Sequence, residues 1–352
     1  MKIIFFYTYN QSFLSSFFKE LSIQLIEGEY DIKIVSLKEK SELLEVAPGL
    51  SVQILKKRSK WLNYISIFKL LMSEKPDVVI SNFSYVNPAI LSGKLLGIKK
   101  NIVWFHTVTQ ALNPSKNQVR IKSIFLKQAS EIIVNSESLK GDLEHDYSIS
   151  KTKIFPIPFW SSLEASHTKS EVFKKKSLIK IGCPGRIEEV KNQQLIIDSL
   201  VNVEERISWR LYIAGSGSNE ESLRLKVRQL NLEDKVDFLG VLSIDKMKEY
   251  YEEIDLIILP SKFEAFGLVL IEALSMGCPV LVSESFGALG YIKDGEFLNK
   301  YSFNPHSSVD LSAKLNNVIA NKEHSSDYFR NIYTTYFQKE KIIAKVEEVI
   351  NL

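Results

Sequence analysis

Two carboxylates eight positions apart, Glu264 and Glu272, stand in the stretch "PSKFEAFGLVLIEALSMGCPVLVS" that begins at Pro260. Glu272 has leucine, isoleucine and alanine around it, and a charge among such neighbours costs several kcal/mol unless something pairs with it. A carboxylate accepts hydrogen bonds and donates none, so a pair of sugar hydroxyls, such as those of a ribose, is a natural partner. Just ahead of the apolar run, the first-turn amides near Phe266, Gly267 and Leu268 have no intrahelical acceptor, and with the helix dipole they favour an anion such as phosphate. Glu272 lies four residues beyond Leu268, on the same helix face. Gly277 closes the helix and "CPVLVS" begins a strand.

The elements that must position these groups follow one grammar. Short runs rich in Ile, Val and Phe ("KIIFFY", "IKIVSL", "DVVIS", "NIVWFH", "EIIVNS", then "IKIGCPG", "RLYIAG", "VDFLG", "DLIILP", "CPVLVS") alternate with amphipathic segments of helical length. Strands buried on both faces look like this in parallel sheets with helical crossovers. The stretch "PIPFWSSLEASHTKSEVFKKKS", with its prolines and the Lys174-Lys175-Lys176 run, interrupts the alternation as a linker would. The chain therefore reads as two doubly wound α/β domains, residues 1–165 and 178–336.

In such sheets ligands bind outside the carboxyl ends of strands. His106 follows "IVWF"; Gly185, Arg186 and Lys191 follow "IKIGCP"; Gly215-Ser216-Gly217 follows "LYIA"; Pro260, Ser261, Glu264 and Gly267 follow "DLIIL". These residues aim at one central cleft if the two sheets face each other.

With 352 residues the chain is long enough for two cores, and 45% hydrophobic with 25% charged residues is globular rather than disordered composition. A net charge of +3 is too small to indicate a nucleic-acid partner. No apolar run approaches the ~18 residues of a spanning helix, and the opening "MKIIFFYTYNQS" reads as a buried strand rather than a leader. Cys183 and Cys278 are the only cysteines, so neither a disulfide framework nor a cysteine metal site is expected, and a reducing cytoplasm is the expected compartment.

"EAFGLVLIE" resembles the E-x7-E signature of the retaining glycosyltransferases of GT-B fold, the large group-one family (with glycosyltransferase family 4) of nucleotide-sugar enzymes. "GRIEEVKN" resembles that family's Gly-Arg-x4-Lys-Asn loop, "LYIAGSGSNEESLRLKVRQLNLEDKVDFLG" its glycine turn, helix and strand, and "IVWFHT" its donor-facing histidine strand. The resemblance is strong in the C-terminal half and looser in the N-terminal half. It implies two Rossmann-like domains facing a central cleft, the first on the acceptor side, the second binding the nucleotide sugar. It also implies that the terminal helix 337–352, read in the stretch "YFQKEKIIAKVEEVI" (336–350), crosses back to the first domain. The implied reaction is transfer of a sugar from a nucleotide-sugar donor, a UDP-sugar, to a saccharide or lipid-linked saccharide in bacterial surface polysaccharide or glycoconjugate assembly.

By position the resemblance implies that Arg186 and Lys191 hold the donor diphosphate, Glu264 contacts the transferred sugar, and Glu272 binds the ribose. Gly185 and the backbone of Phe266, Gly267 and Leu268 cradle phosphate and sugar, and His106 orients the sugar from the first domain. No Asp-x-Asp occurs, and two cations with a helix N-terminus can do the electrostatic work of a cation, so no metal and no cofactor are expected. Three departures from the resembled pattern bear on specificity: "YTYNQSF" lacks a glycine pair, "SFGALGYIKDGEF" stands in place of a Gly-Gly then Pro-Glu stretch, and "PIPFW" replaces the usual interdomain Pro-Asn-Gly.

Residues 56–71 pair Lys56, Lys57, Arg58 and Lys60 with Trp61, Tyr64, Ile65, Phe68 and Leu71 at helical spacing. Such a segment suits a peripheral site on an anionic membrane surface, or else a core-facing helix with a solvated basic turn. Two other functions share the fold, a non-catalytic binding or scaffold subunit and a sugar-nucleotide epimerase. A dinucleotide oxidoreductase lacks its Gly-x-Gly-x-x-Gly at the first strand turn.

Overall fold

The computed structural model describes residues 1–106, 115–163, 178–201, 203, 208–321 and 325–352. Of the expected linker, residues 164–177 with the lysine run lie outside the described residues, as does Thr107. The chain divides into two compact units, Met1–Phe159 with Lys339–Leu352, and Trp160–Gln338.

The first unit is built on β1 (Lys2–Phe6), β2 (Asp31–Lys38), β3 (Glu42–Ala47), β4 (Leu50–Lys56), β5 (Val78–Asn82), β6 (Lys100–Phe105), β7 (Ile132–Val134) and β8 (Ile154–Pro156). They form one sheet in the order β3-β4-β2-β1-β5-β6-β7-β8, parallel except for the antiparallel β3–β4 pair at its edge. In the register of the central strands Ile4 stands opposite Lys33 on one side and Val79 on the other. Phe17, Phe18, Trp104 and Phe159 pack edge to face on this sheet, Phe18 and Trp104 at 5.0 Å and Phe17 and Phe159 at 4.7 Å, contacts that add to their area burial. The C-terminal helix Lys339–Asn351 belongs to this unit: it buries Ile342, Val346, Val349 and Ile350, one helical stripe, and Lys339 Nζ pairs with Glu20 at 2.6 Å.

The second unit carries β9 (Leu178–Pro184), β10 (Ser208–Ala214), β11 (Val236–Gly240), β12 (Leu256–Leu259), β13 (Val280–Ser283) and β14 (Ser302–Phe303), all parallel, in the order β11-β10-β9-β12-β13-β14. β12 and β13 are buried at every position, as their unbroken apolar runs require. Residues 160–163, read from the sequence as part of the first domain, go with this unit. The reason is local: Ser161 accepts from the Ser275 hydroxyl at 2.9 Å, and its amide donates to the Tyr333 hydroxyl at 3.0 Å.

Strand order reverses between β1 and β5 in the first sheet and between β9 and β12 in the second. These reversals splay the loops at the carboxyl ends apart and leave room for a ligand. Among the described residues, no helix is long and apolar enough to cross a membrane.

Candidate active site

At the carboxyl ends of β9 and β12, where the second sheet reverses, a cavity of about 200 Å³ is lined by Gly185, Arg186, Lys191, Glu264 and Leu268. Gln193, Ser261, Val269 and Phe286 are among its other walls. The volume is below the ~300–1,000 Å³ of pockets that enclose a whole drug-sized ligand, so it matches one part of a longer molecule.

Lys191 and Glu264, 73 residues apart, form an ion pair in this cavity, with side chains only 20% and 19% exposed. Each removes the cost of burying the other, and loss of one partner leaves an uncompensated charge. An ammonium has three donors, so the bond to Glu264 leaves two for a ligand. The loop after β9 is stitched to the loop after β12 around this pair. Asn192 donates to the carbonyls of Pro260 at 3.2 Å and Pro305 at 2.9 Å, and the Lys262 amide donates to the Val190 carbonyl at 2.8 Å.

Arg186 is held more loosely. Its guanidinium donates to Glu188 Oε1 at 2.7 Å and stays 71% exposed, while the Gln193 amide fixes its carbonyl at 2.8 Å. The glycine turn after β10 supports this loop from below. A Cβ on Gly215, whose φ is +145°, would lie 1.9 Å from the Gly185 carbonyl oxygen, so only glycine allows the approach. Cys183 also lines the cavity, but burial pushes its thiol up to about 12, against a weaker opposing effect of Lys191, and it stays protonated.

The helix Leu268–Ser275 starts at this cavity. Gly267 enters it at φ +100°, where a Cβ would meet the Phe286 ring at 2.1 Å. The helix buries Leu270, Ile271, Ala273, Leu274 and Ser275, which leaves Leu268, Val269 and Glu272 as one partly exposed face. Leu268 and Val269 line the cavity; Glu272 stands a turn beyond it. The Tyr251 hydroxyl donates to Glu272 Oε2 at 2.9 Å. Burial pushes the Glu272 carboxyl up to about 7, the Tyr251 bond opposing that shift. Phe266 and Gly267 precede the cavity without lining it, and the Phe266 side chain is core, edge-on to Tyr291 and Phe337.

His106 follows β6 in the first unit, ringed by Phe18, Phe83, Trp104 and Phe159 at 5.1 to 6.3 Å between centroids. Burial lowers its pKa to about 3, so the ring is neutral. Among the described residues neither ring nitrogen has a hydrogen-bond partner.

Sequence reasoning aimed Ser261 at the cleft but did not find Gln193, Phe286 or Tyr251. Gln193 adjoins a quoted motif and was within reach by position. Tyr251 carries no motif, and only the need of a buried phenol for an acceptor points to it. Phe286 falls in the stretch that departs from the resembled pattern; its ring packs on Gly267, and the Gly287 amide donates to the Glu264 carbonyl at 3.1 Å.

Residues 14–159 match the family described as Glycosyltransferase Family 4, and residues 166–335 match the family described as Glycosyl transferases group 1. Over 341 residues the chain is 23% identical to the amylovoran biosynthesis glycosyltransferase AmsD of Erwinia amylovora, covering 94% of this chain and 93% of that one. Over 242 residues it is 27% identical to the GalNAc-alpha-(1->4)-GalNAc-alpha-(1->3)-diNAcBac-PP-undecaprenol alpha-1,4-N-acetyl-D-galactosaminyltransferase of Campylobacter jejuni, covering 67% of this chain and 64% of that one. The crystal structure of Anabaena HepE in complex with UDP has the same fold, with a TM-score of 0.80 at 15% identity and coverage of 100% of both chains.

Proposed function

The chain belongs to the group 1 glycosyltransferases of GT-B fold, and from that membership we propose that it transfers a sugar from a UDP-sugar to a saccharide or lipid-linked saccharide, with retention, in surface polysaccharide or glycoconjugate assembly. The observation that carries the reading is the convergence of Arg186, Lys191, Glu264 and a helix N-terminus on one cavity at the strand-order reversal. UDP is bound by the Anabaena protein, and the Erwinia and Campylobacter names support a polymer-building role with a diphosphate-linked lipid as one acceptor.

In this reading the free donors of Lys191 and the Arg186 guanidinium take the diphosphate, and their charge counts most as the bond from the anomeric carbon to phosphate oxygen breaks. The departing phosphate oxygen accepts the acceptor hydroxyl's proton while that hydroxyl oxygen bonds the anomeric carbon on the same face, so no protein base takes part. Glu264, oriented by Lys191, receives hydroxyls of the transferred sugar. Glu272 uses its second oxygen for the ribose, and neutral His106 serves the sugar from the first unit. We read the reaction as metal-independent, because these cations and the amides near Leu268 supply the charge that a metal would.

A thermal-shift panel of UDP, GDP, ADP and CMP with their sugars tests the reading. A ligand at 100 times its Kd adds about 2.7 kcal/mol. UDP and one UDP-sugar should stabilise the chain. No response to any nucleotide at millimolar concentration would favour a scaffold subunit instead.

We also propose that residues 56–71 lean on anionic membrane surface at the cytoplasmic face. The helix Lys60–Glu74 buries Ile67, Leu70 and Leu71 and leaves Trp61 76% and Ile65 50% exposed beside Lys57, Arg58 and Lys60. Of the group expected to share one face, only Leu71 is fully inside. Trp61→Ser with Ile65→Ser should weaken binding to phosphatidylglycerol vesicles several-fold; unchanged binding would remove this part.

A further inference from the structure

Gln193 opens the helix Gln193–Leu200 beyond the carboxyl end of β9 and lines the cavity of the second unit, yet it is only 1% exposed. Glutamine is seldom buried so completely, because its amide carries two donors and an oxygen with two lone pairs, and each looks for a partner. One side of the amide has found one: Nε2 donates to the Arg186 carbonyl at 2.8 Å. A carbonyl only accepts, so this bond decides which end of the amide is nitrogen and turns Oε1 the other way. Among the described residues Oε1 is buried with no hydrogen-bond partner.

The donors of the same loop bond elsewhere. Lys191 pairs with Glu264, the Arg186 guanidinium turns to Glu188, and the Asn192 amide nitrogen serves the carbonyls of Pro260 and Pro305. Buried polar groups are ordinarily hydrogen-bonded, so an orphaned acceptor on a residue that lines a cavity leaves its partner to whatever the cavity binds. The chemistry of that partner is restricted. A diphosphate or a carboxylate offers acceptors only and cannot meet Oε1, whereas a hydroxyl or an amide N–H can.

We propose that Gln193 is a specificity-determining residue for the sugar being transferred, its Oε1 accepting a hydrogen bond from one hydroxyl or from the N–H of an acylamino substituent. The inference rests on the donor-site reading above, which puts a nucleotide sugar in this cavity. Within that ligand the diphosphate goes to Arg186 and Lys191 and the ribose to Glu272, so the sugar is the part that supplies a donor here. Glu264 also accepts from the sugar, but Lys191 already compensates its charge, while Oε1 of Gln193 depends on the ligand alone. A sugar without the matching group leaves Oε1 buried and unpaired, the arrangement by which a polar site rejects an analogue by as much as ~10,000-fold. The bond from Nε2 to the Arg186 carbonyl joins this reading to the diphosphate loop, since one side chain both senses the sugar and holds that loop.

The test is calorimetric titration of UDP, UDP-glucose, UDP-galactose and their two N-acetylamino counterparts into the full chain and into Gln193→Met, which keeps the side chain's length and removes both polar ends. Gln193→Ala gives the same comparison should circular dichroism show the methionine variant unfolded. The readout is the ratio of affinity for the best-bound UDP-sugar to affinity for UDP, which a loosened loop alone would not move. That ratio should fall about tenfold or more in the variant. A parent that prefers an N-acetylated sugar, with the preference lost in the variant, assigns the donor to the N–H. A single-deoxy analogue that binds the parent about tenfold more weakly or worse, with the penalty lost in the variant, assigns it to that hydroxyl. Equal losses for UDP and UDP-sugar, or a ratio that stays at the parent's value, overturn the assignment and leave Gln193 a support of the Arg186 loop. If neither UDP nor any UDP-sugar binds the parent, the donor reading itself has failed and this assignment falls with it.

Discussion

The two strand-order reversals each carry a cavity, and they handle positive charge in opposite ways. In the second unit Lys191 is locked to Glu264 and both are mostly buried, whereas in the first unit Lys57, Arg58, Lys60 and Lys122 face open space with no carboxylate among the lining residues. A paired cation is held in place before any ligand arrives and can act on charge that develops during a reaction. An unpaired cluster is held by nothing local, so its interactions go to whatever anion enters, and they weaken with salt.

The largest effect should follow from breaking the paired site. Removing one preorganised charge of this kind typically lowers turnover ~100-fold to ~1000-fold, and Lys191→Ala should do so in steady-state assays with the donor found in the nucleotide panel. The donor KM should change less than kcat, since the leaving oxygen gains charge only as the bond breaks. A folded variant, checked by circular dichroism, that raises KM alone would move Lys191 from chemistry to plain binding. Activity of the parent should survive EDTA; loss of activity with rescue by manganese would replace the electrostatic account.

A smaller effect concerns Glu272. Its folded pKa is raised, so between about pH 4.5 and pH 7 the native state holds a proton that the unfolded chain has released. Stability must then fall as pH rises through that window, by a few kcal/mol at most. Urea denaturation of the unliganded parent should show that decline, and Glu272→Gln should lack it. A variant with the parent's slope would place the titration elsewhere.

The smallest effect sharpens the other half of the contrast. Burial lowers the pKa of Lys122 and no carboxylate lines its cavity, so Lys122→Gln should melt at or slightly above the parent temperature, within about 1 kcal/mol. A clear loss of stability would mean that Lys122 serves the fold.

The two regions also differ in how much the sequence disclosed. The loop from Gly185 to Asn192 and the run from Glu264 to Glu272 keep fixed spacings because each is a strand end running into a helix, and short-range geometry sets where the polar atoms fall. Both sheets were legible for the same reason: central strands buried on both faces read as unbroken apolar runs. The hairpin of β3 and β4 escaped notice because β4 alternates buried and partly exposed positions, and no residue of the edge strand β3 is fully buried. The Lys191–Glu264 pair and the Tyr251 bond to Glu272 join residues 73 and 21 positions apart, and no local period records them. The cavity of the first unit draws on residues near positions 8, 58, 84 and 120, brought together only by the order of the strands. The basic and aromatic residues of 56–71 were visible in the sequence; that three of those cations share a cavity with Lys122 was not.

Calorimetric titration of UDP into the parent, into Lys191→Ala and into Lys57→Gln/Arg58→Gln/Lys60→Gln tests the assignment of the nucleotide sugar to the second unit most directly. The account predicts that UDP affinity falls at least tenfold in Lys191→Ala and stays within twofold of the parent in the triple variant. Unchanged affinity in Lys191→Ala, with the loss appearing in the triple variant, would contradict it and put the nucleotide in the first unit.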